Sequence, residues 1–162
     1  LKLRGNLKLK LKIIGGLDNP MVKALTKPIA QHVELLPWMP RQEFLQKIQN
    51  IICDVDVVVV PSVWEDTWAG VTTLAMALGR PVLAHDGGAL REQVFNFING
   101  VRVNCMDIRK FATMIIKLHD MPKSFIHTIG LQARKVYLSH FTPERVINAL
   151  IDVFKTASSQ QW

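Results

Sequence analysis

The feature that most constrains this sequence is a regular alternation of short apolar runs with helix-like segments between residues 7 and 103. The run Val55–Val60 is interrupted only by Asp56 and is otherwise β-branched, which predicts a central parallel strand covered on both faces. Parallel neighbouring strands are usually joined by a helix in a right-handed crossover. The alternation therefore predicts an α/β fold built as a doubly wound, Rossmann-like parallel sheet.

Turn and cap residues place the other elements. Asn19–Pro20 and Thr142–Pro143 are typical of a helix start, and Gly79 is typical of a helix end. We predict further strands at residues 7–14, 33–36, 81–84 and 101–103, and helices at residues 20–31, 41–52, 70–78, 90–97, 107–119, 123–139 and from 142 onward. The length of 162 residues suits a single domain, with residues 107–162 as its C-terminal helices.

The charge distribution argues against nucleic acid as a partner. The net charge is +7, which would be compatible with nucleic-acid binding. Residues 1–12, however, carry five basic residues and no acidic one, and the remaining 15 basic and 13 acidic residues give only +2. Because the excess sits at one end of the chain, we expect no nucleic-acid partner. The apolar fraction of 49% also makes a disordered chain a poor interpretation.

Membrane spans, disulfides and metal sites are not indicated either. The longest uncharged stretch, Thr67–Gly79, has 13 residues, whereas a membrane-spanning helix needs about 20. The start of the chain does not resemble a signal peptide. Cys53 and Cys105 form no disulfide framework, and the five histidines show no metal-ligand spacing. We therefore expect a cytoplasmic protein without a metal.

Ligands of open α/β sheets bind beyond the carboxyl ends of the strands. The predicted ends carry the glycine turn Gly15–Gly16, the pair Pro37–Trp38 and the segment 61–68 with sequence PSVWEDTW. That segment leads into a predicted helix whose free N–H groups and positive dipole end suit a phosphate. Its carboxylates, Glu65 and Asp66, can accept hydrogen bonds from hydroxyls. Together these groups suit a sugar nucleotide, although an acidic segment before a helix also serves simply as a cap.

Several motifs match a known family in order and spacing. Segment 54–64, DVDVVVVPSVW, is close to A-D-V-x-V-x-P-S-x-W, and segment 75–82, AMALGRPV, resembles E-A-M-A-x-G-x-P-V. Segment 88–94, GALREQV, with Asn99–Gly100 after it, and segment 141–145, FTPER, resemble two further motifs. From about Leu7 to Phe154, the chain thus resembles the C-terminal, donor-binding domain of retaining GT-B glycosyltransferases of the group 1 type.

The resemblance implies a hexosyltransferase-type enzyme that moves a sugar from a UDP-sugar or GDP-sugar to an acceptor, without a further cofactor. It implies that Glu65 and Asp66 are catalytic. It also implies donor contacts at Gly15, Gly16, Trp38, Met39, Ala69, Gly70, Val71, Thr72 and Thr73. In this interpretation, the backbone amides near residues 69–72 cradle the diphosphate.

The chain departs from the family pattern in two respects. The family carries an acidic pair separated by seven residues; the first acid falls on Asp66, but the second falls on Leu74, which cannot accept a hydrogen bond. The family's diphosphate-binding Arg and Lys, and its N-terminal acceptor domain, precede the matched segment. We therefore expect an incomplete donor domain that needs the N-terminal domain in cis or in trans and is inactive alone.

Two further expectations stay open. Peripheral membrane association through the missing half is one of them. The other is the alternative that the chain is a non-catalytic GT-B-like binding or scaffold module that has lost donor binding, which Leu74 favours.

Overall fold

The computed structural model describes residues 8–65 and 67–159. The chain divides into two compact units, Leu1–Ile48 and Gln49–Trp162, and the boundary falls within helix α2 (Arg41–Cys53). Every strand pair among the described residues is parallel, and helices separate the strands along the chain, so the predicted α/β class is confirmed. The single domain expected from the length remains a prediction.

The first unit contains a two-stranded parallel sheet. Strand β1 (Leu11–Ile14) pairs with β2 (Val33–Leu36), and Leu11 lies opposite Val33. The predicted first strand began at Leu7, which lies outside the described residues, while residues 8–10 precede the strand. In residues 8–10 the charged alternation therefore does not extend the sheet.

Helix α1 (Pro20–Thr26) begins as the sequence predicts. The side-chain oxygen of Asn19 accepts hydrogen bonds from the N–H groups of Met21 at 3.0 Å and Val22 at 3.2 Å. The helix was expected to reach residue 31 but ends earlier and continues as a 3-10 turn, Lys27–His32. Pro28 lies at the start of that turn, and because it has no N–H it cannot continue the α-helical hydrogen-bond ladder.

The second unit contains a three-stranded parallel sheet in the order β3-β4-β5. These strands are Val58–Val60, Val82–His85 and Gly100–Val103. The prediction that Val55–Val60 forms the central strand is wrong for this sheet, because β4 lies in the middle. Val82, Leu83 and Ala84 of β4 are all buried, as expected for a strand that is covered on both faces.

Side chains of β4 alternate between two cores. One core holds Val82 and Ala84, and the other holds Leu83. The first also receives side chains of α3 (Gly70–Ala77) and α4 (Leu90–Gln93), and the second receives side chains of α5 (Ile108–Asp120) and α6 (Lys123–Val136). This sheet is covered on both faces, which is the layering that a doubly wound fold predicts.

Helix α4 is much shorter than predicted, since it ends at Gln93 rather than at residue 97. The Asn99 side chain accepts from the N–H of Phe95 at 2.6 Å and donates to the carbonyl of Gln93 at 2.8 Å. These two bonds satisfy backbone groups that a longer helix would have used. Phe97 adopts a left-handed conformation, with φ 59°, which a continuing helix excludes.

Helices α3 and α6 approach each other through glycines. Gly79, with φ +68°, ends α3, and a Cβ built on Gly130 of α6 would lie only 2.2 Å from its carbonyl oxygen. Arg134, one turn further along α6, donates to the carbonyl of Ala77. The C-terminal end of α3 is therefore anchored closely on α6.

The last described element is the longest helix. A π turn, Tyr137–Phe141, follows α6 and leads into α7 (Pro143–Ser159), whose start at Pro143 agrees with the prediction. No residue of α7 is buried. Among the described residues, no helix is both long and apolar enough to cross a membrane.

Candidate functional site

The segment that follows β3 carries the predicted catalytic carboxylates. Glu65 is exposed and makes no hydrogen bond with another described residue. Asp66, the other predicted catalytic residue, lies outside the described residues. Trp64 and Trp68 are also exposed. The described part of this segment is thus an open loop, and the roles of Glu65 and Asp66 remain predictions.

The loop ends at the N-terminus of α3, where Ala69 is the N-cap residue. Alanine has no side-chain acceptor, so the first turn of α3 lacks a side-chain cap. The N–H groups of Gly70 and Val71 have no acceptor among the described residues, whereas the N–H of Thr72 donates to the carbonyl of Ala69 at 3.0 Å. Unpaired N–H groups at the positive end of a helix are suited to bind an anion.

Gln93 of α4 contacts the same helix end from inside the protein. Its side-chain oxygen accepts from the N–H of Ala69 at 3.4 Å, and its side chain is fully buried. Its side-chain nitrogen, Nε2, has no hydrogen-bond partner among the described residues. The sequence alone does not reveal this residue, because a four-residue helix offers no periodicity that would separate a buried position from its exposed neighbour Glu92.

The two threonines of α3 have different environments. The Thr72 side chain is fully buried and its hydroxyl has no partner among the described residues, so a ligand outside α3 cannot reach it. Thr73 is half-buried, and its hydroxyl donates to the carbonyl of Gly70 at 2.9 Å. Both residues were predicted to contact the donor, and that prediction remains untested. The structure therefore offers neither hydroxyl as an exposed, unbonded group at the helix N-terminus, since that of Thr72 is buried and that of Thr73 is hydrogen-bonded.

Leu74 lines an apolar cleft of about 590 Å³ beside α3. The rings of Trp68 and Phe141 meet edge to face in this cleft, with centroids 5.4 Å apart and an interplanar angle of 73°. The cleft is lined by Trp68, Gly70, Thr73, Leu74, Ala77, Tyr137, Phe141, Pro143 and Val146. None of these residues is charged, so this wall offers no carboxylate where the family pattern expects one.

The other predicted donor contacts belong to the first unit. Gly15 has φ +78°, and a Cβ on it would meet nothing within 4 Å, so its backbone is open. A Cβ on Gly16 would lie 2.9 Å from Ile13 and 3.1 Å from Leu35, so packing within the unit accounts for this glycine. The structure brings this turn next to the loop after β2, because the N–H of Gly15 donates to the carbonyl of Pro37 at 3.4 Å.

Trp38 and Met39 follow in that loop. The N–H of Trp38 donates to the carboxylate of Asp18 at 2.6 Å, and the indole is 69% exposed. Met39 is buried, so its side chain is not available to a ligand. Both predicted donor contacts remain predictions, and an exposed indole is the side chain of this pair that could stack on a base.

Beyond β4, His85 is held in one orientation. Its Nδ1 accepts from the N–H of Cys105 at 3.1 Å, which places the proton of a neutral ring on Nε2. Burial raises the pKa of the Cys105 thiol, which disfavours a nucleophilic thiolate there. The described residues contain no cluster of three or more His, Cys, Asp or Glu able to hold a metal ion.

Comparison with known proteins gives one family and a group of solved structures. The family model described as glycosyl transferases group 1 matches residues 1–121. A comparison with curated proteins found no match.

The solved structures resemble the chain in fold. HepE of Anabaena in complex with UDP is 22% identical, with a TM-score of 0.70, and the match covers 94% of this chain and 41% of HepE. The same protein in complex with UDP-glucose gives 21% identity, a TM-score of 0.69 and coverages of 93% and 41%. Sucrose-phosphate synthase of Thermosynechococcus elongatus gives 22% identity, a TM-score of 0.75 and coverages of 93% and 39%. The chain spans less than half of each of these proteins and has the fold of the C-terminal half of GT-B glycosyltransferases.

Proposed function

Because this chain belongs to the family of group 1 glycosyl transferases, we propose that it is the donor-binding part of a retaining enzyme that transfers a sugar from a nucleoside diphosphate sugar to an acceptor. The observation that carries this proposal is the N-terminus of α3. There, two N–H groups without acceptors among the described residues follow directly on a loop that carries Glu65. The N–H groups can donate to the oxygens of a diphosphate, and the carboxylate of Glu65 can accept from the hydroxyls of a sugar.

In this proposal the N–H groups of Gly70 and Val71 bind the diphosphate, and Glu65 and Asp66 accept hydrogen bonds from sugar hydroxyls. Contacts of the nucleotide with Gly15, Gly16, Trp38 and Met39 remain a prediction from the family resemblance. The chemical contribution of this half is electrostatic, because donors aimed at the departing diphosphate stabilise the charge that develops on it. The solved complexes of HepE with UDP and UDP-glucose support a uridine nucleotide as the first donor to test.

Gly70 offers a direct test of the backbone amides. It is the first residue of α3, a Cβ there would meet nothing within 4 Å, and the preceding Ala69 is extended, with φ −97° and ψ 90°. These conditions suit proline, which removes the N–H but fits the first helical position. Calorimetry with UDP-glucose and with a GDP-sugar is expected to show binding that Gly70→Pro weakens by about ten- to a hundredfold, the range of one lost hydrogen bond to a charged group.

Gly70→Ala is the matched control, since it adds a side chain in the same open space but keeps the N–H. We expect it to bind as the unmodified chain does. Absence of binding to either nucleotide sugar at millimolar concentration would contradict the proposal, and so would equal affinities of Gly70→Pro and Gly70→Ala.

A second candidate function is supported by Leu74. The apolar cleft that it lines gives a ribose no charged acceptor, as expected for a GT-B-like scaffold that no longer binds a donor. Such a module would bind no nucleotide sugar in the calorimetric experiment, and restoring a carboxylate at position 74 would not rescue binding.

A further inference from the structure

The described part of the loop that carries Glu65 is held by the packing of Trp68 on Phe141 rather than by hydrogen bonds. No described residue between Val63 and Trp68 makes a hydrogen bond with another described residue. The first bond after this stretch is the one from the N–H of Ala69 to the side-chain oxygen of Gln93. The position at which the loop ends and α3 begins is therefore held by a side chain 24 residues further along the chain.

Gln93 is an unusual choice for its surroundings. Its side chain is fully buried, on the helix that also supplies buried Leu90 to the core. The oxygen of its amide is used, but Nε2 has no partner among the described residues. A buried donor without an acceptor costs stability, and a methionine of similar size would avoid that cost. Core packing alone therefore does not explain glutamine at this position.

We propose that Gln93 is a positioning residue for the donor site: through the Ala69 N–H it fixes the first turn of α3, and with it the amides of Gly70 and Val71. The inference about donor affinity rests on the proposed function. The geometric part does not, because it concerns only the bond between two described residues. If α3 began one residue earlier or later, different N–H groups would face solvent. By fixing that start, the hydrogen bond between Gln93 and Ala69 would affect the affinity for a ligand that Gln93 itself does not contact.

The test uses the full chain with Gln93→Met and two readouts. Hydrogen exchange, followed residue by residue by NMR, is expected to show loss of protection at the Ala69 amide while the amides of β4 stay protected. A merely structural role would instead lower protection across the core. Calorimetry with UDP-glucose is expected to show affinity lower by about two- to tenfold.

Two further variants separate the explanations. Leu90→Met changes packing on the same helix without removing a hydrogen bond, and we expect it to leave both readouts unchanged. Gln93→Glu, studied at a pH low enough to keep the buried carboxyl neutral, retains an acceptor oxygen and is expected to keep the Ala69 amide protected, which provides a test even if Gln93→Met does not fold.

Unchanged exchange at Ala69 in folded Gln93→Met, or its loss in folded Gln93→Glu, would overturn the inference. Loss of exchange protection with unchanged UDP-glucose affinity would overturn its functional part. If the unmodified chain binds no nucleotide sugar, the proposed function fails, while the exchange experiment still decides whether Gln93 fixes the helix start.

Discussion

Leu74 is the residue at which the sequence and the family pattern differ most, and substitution by the acidic residue of the pattern tests this difference. We expect Leu74→Glu to raise the affinity for UDP-glucose by about ten- to a hundredfold, because a charged acceptor for a ribose hydroxyl contributes roughly 1.5–3 kcal/mol. Leu74 is only half-buried and the cleft beside it is open, so the carboxylate can remain solvated. Calorimetry on both proteins measures the difference.

Leu74→Gln serves as the control for charge. It provides an oxygen acceptor of nearly the same shape without a carboxylate, so we expect only a small part of the gain. If Leu74→Glu binds no better than the unmodified chain, the cleft is not the ribose side of the site.

For the residues of the candidate site, the sequence predicted their place in a helix or loop but not whether their side chains are buried. The spacing correctly placed Ala69, Gly70 and Val71 at the start of a helix, because proline and glycine residues bound this part of the chain on both sides. The spacing could not distinguish Thr72, which is buried, from Thr73, which is half-buried. A rotation of the helix about its axis by the angle between adjacent residues would exchange their environments. Gln93 escaped prediction because its role depends on a contact with Ala69 across the fold.

At the scale of elements, the glycine contact between α3 and α6 gives a clear expectation for stability. Gly130→Ala would place a Cβ 2.2 Å from the carbonyl oxygen of Gly79, so the helices must move apart. We expect the free energy of unfolding to fall by about 1–3 kcal/mol, the usual range for overpacking. Gly70→Ala makes the same chemical change in open space, and denaturant unfolding should show little loss or a small gain for it. Equal effects of the two substitutions would contradict the close approach.

The start of α5 is expected to depend on pH. Asp107 caps this helix by accepting from the N–H of Lys110 at 3.0 Å, and that backbone hydrogen bond, foremost, lowers the pKa of the carboxyl. A lowered pKa in the folded state stabilises the protein above the unfolded-state pKa of about 3.9, and this contribution is lost as pH falls through the folded-state value. We expect thermal unfolding from pH 6 to pH 2 to show this loss for the unmodified chain.

Asp107→Asn keeps a capping oxygen but cannot titrate, so its melting temperature should lack this part of the acid dependence. Asp152→Asn is the matched control, because the carboxylate of Asp152 makes no hydrogen bond with the described residues. A melting-temperature difference between Asp107→Asn and the unmodified chain that stays constant with pH would contradict the assignment.

Element boundaries were predicted well where a cap residue marks them and poorly where a distant side chain decides them. Asn19, Asp107 and the residues around Pro143 mark helix starts correctly, since each acts within its own first turn. The predicted end of α4 was wrong because the side chain of Asn99 accepts a hydrogen bond from the N–H of Phe95, which a longer helix would have used internally. The central strand was misassigned because both β3 and β4 are apolar, and their order is decided by pairing across the sheet.

At the scale of the whole molecule, we expect these 162 residues to transfer no sugar. The match covers only 39% to 41% of HepE and sucrose-phosphate synthase, and GT-B chemistry takes place between two domains. Incubation with UDP-glucose and a range of acceptors, followed by measurement of released UDP, tests this. Sustained UDP release that depends on acceptor, and that disappears in Asp66→Ala, would show that the chain is sufficient by itself.

The contact of Arg134 with the Ala77 carbonyl has an electrostatic consequence for α3. Each helix carries a partial positive charge at its N-terminal end and a partial negative charge at its C-terminal end. Arg134 places a full cation at the negative end of α3 and compensates the partial charge of the carbonyl groups there. The contact thus favours the orientation in which α3 directs its C-terminal end at α6 and leaves its N–H groups at the opposite end.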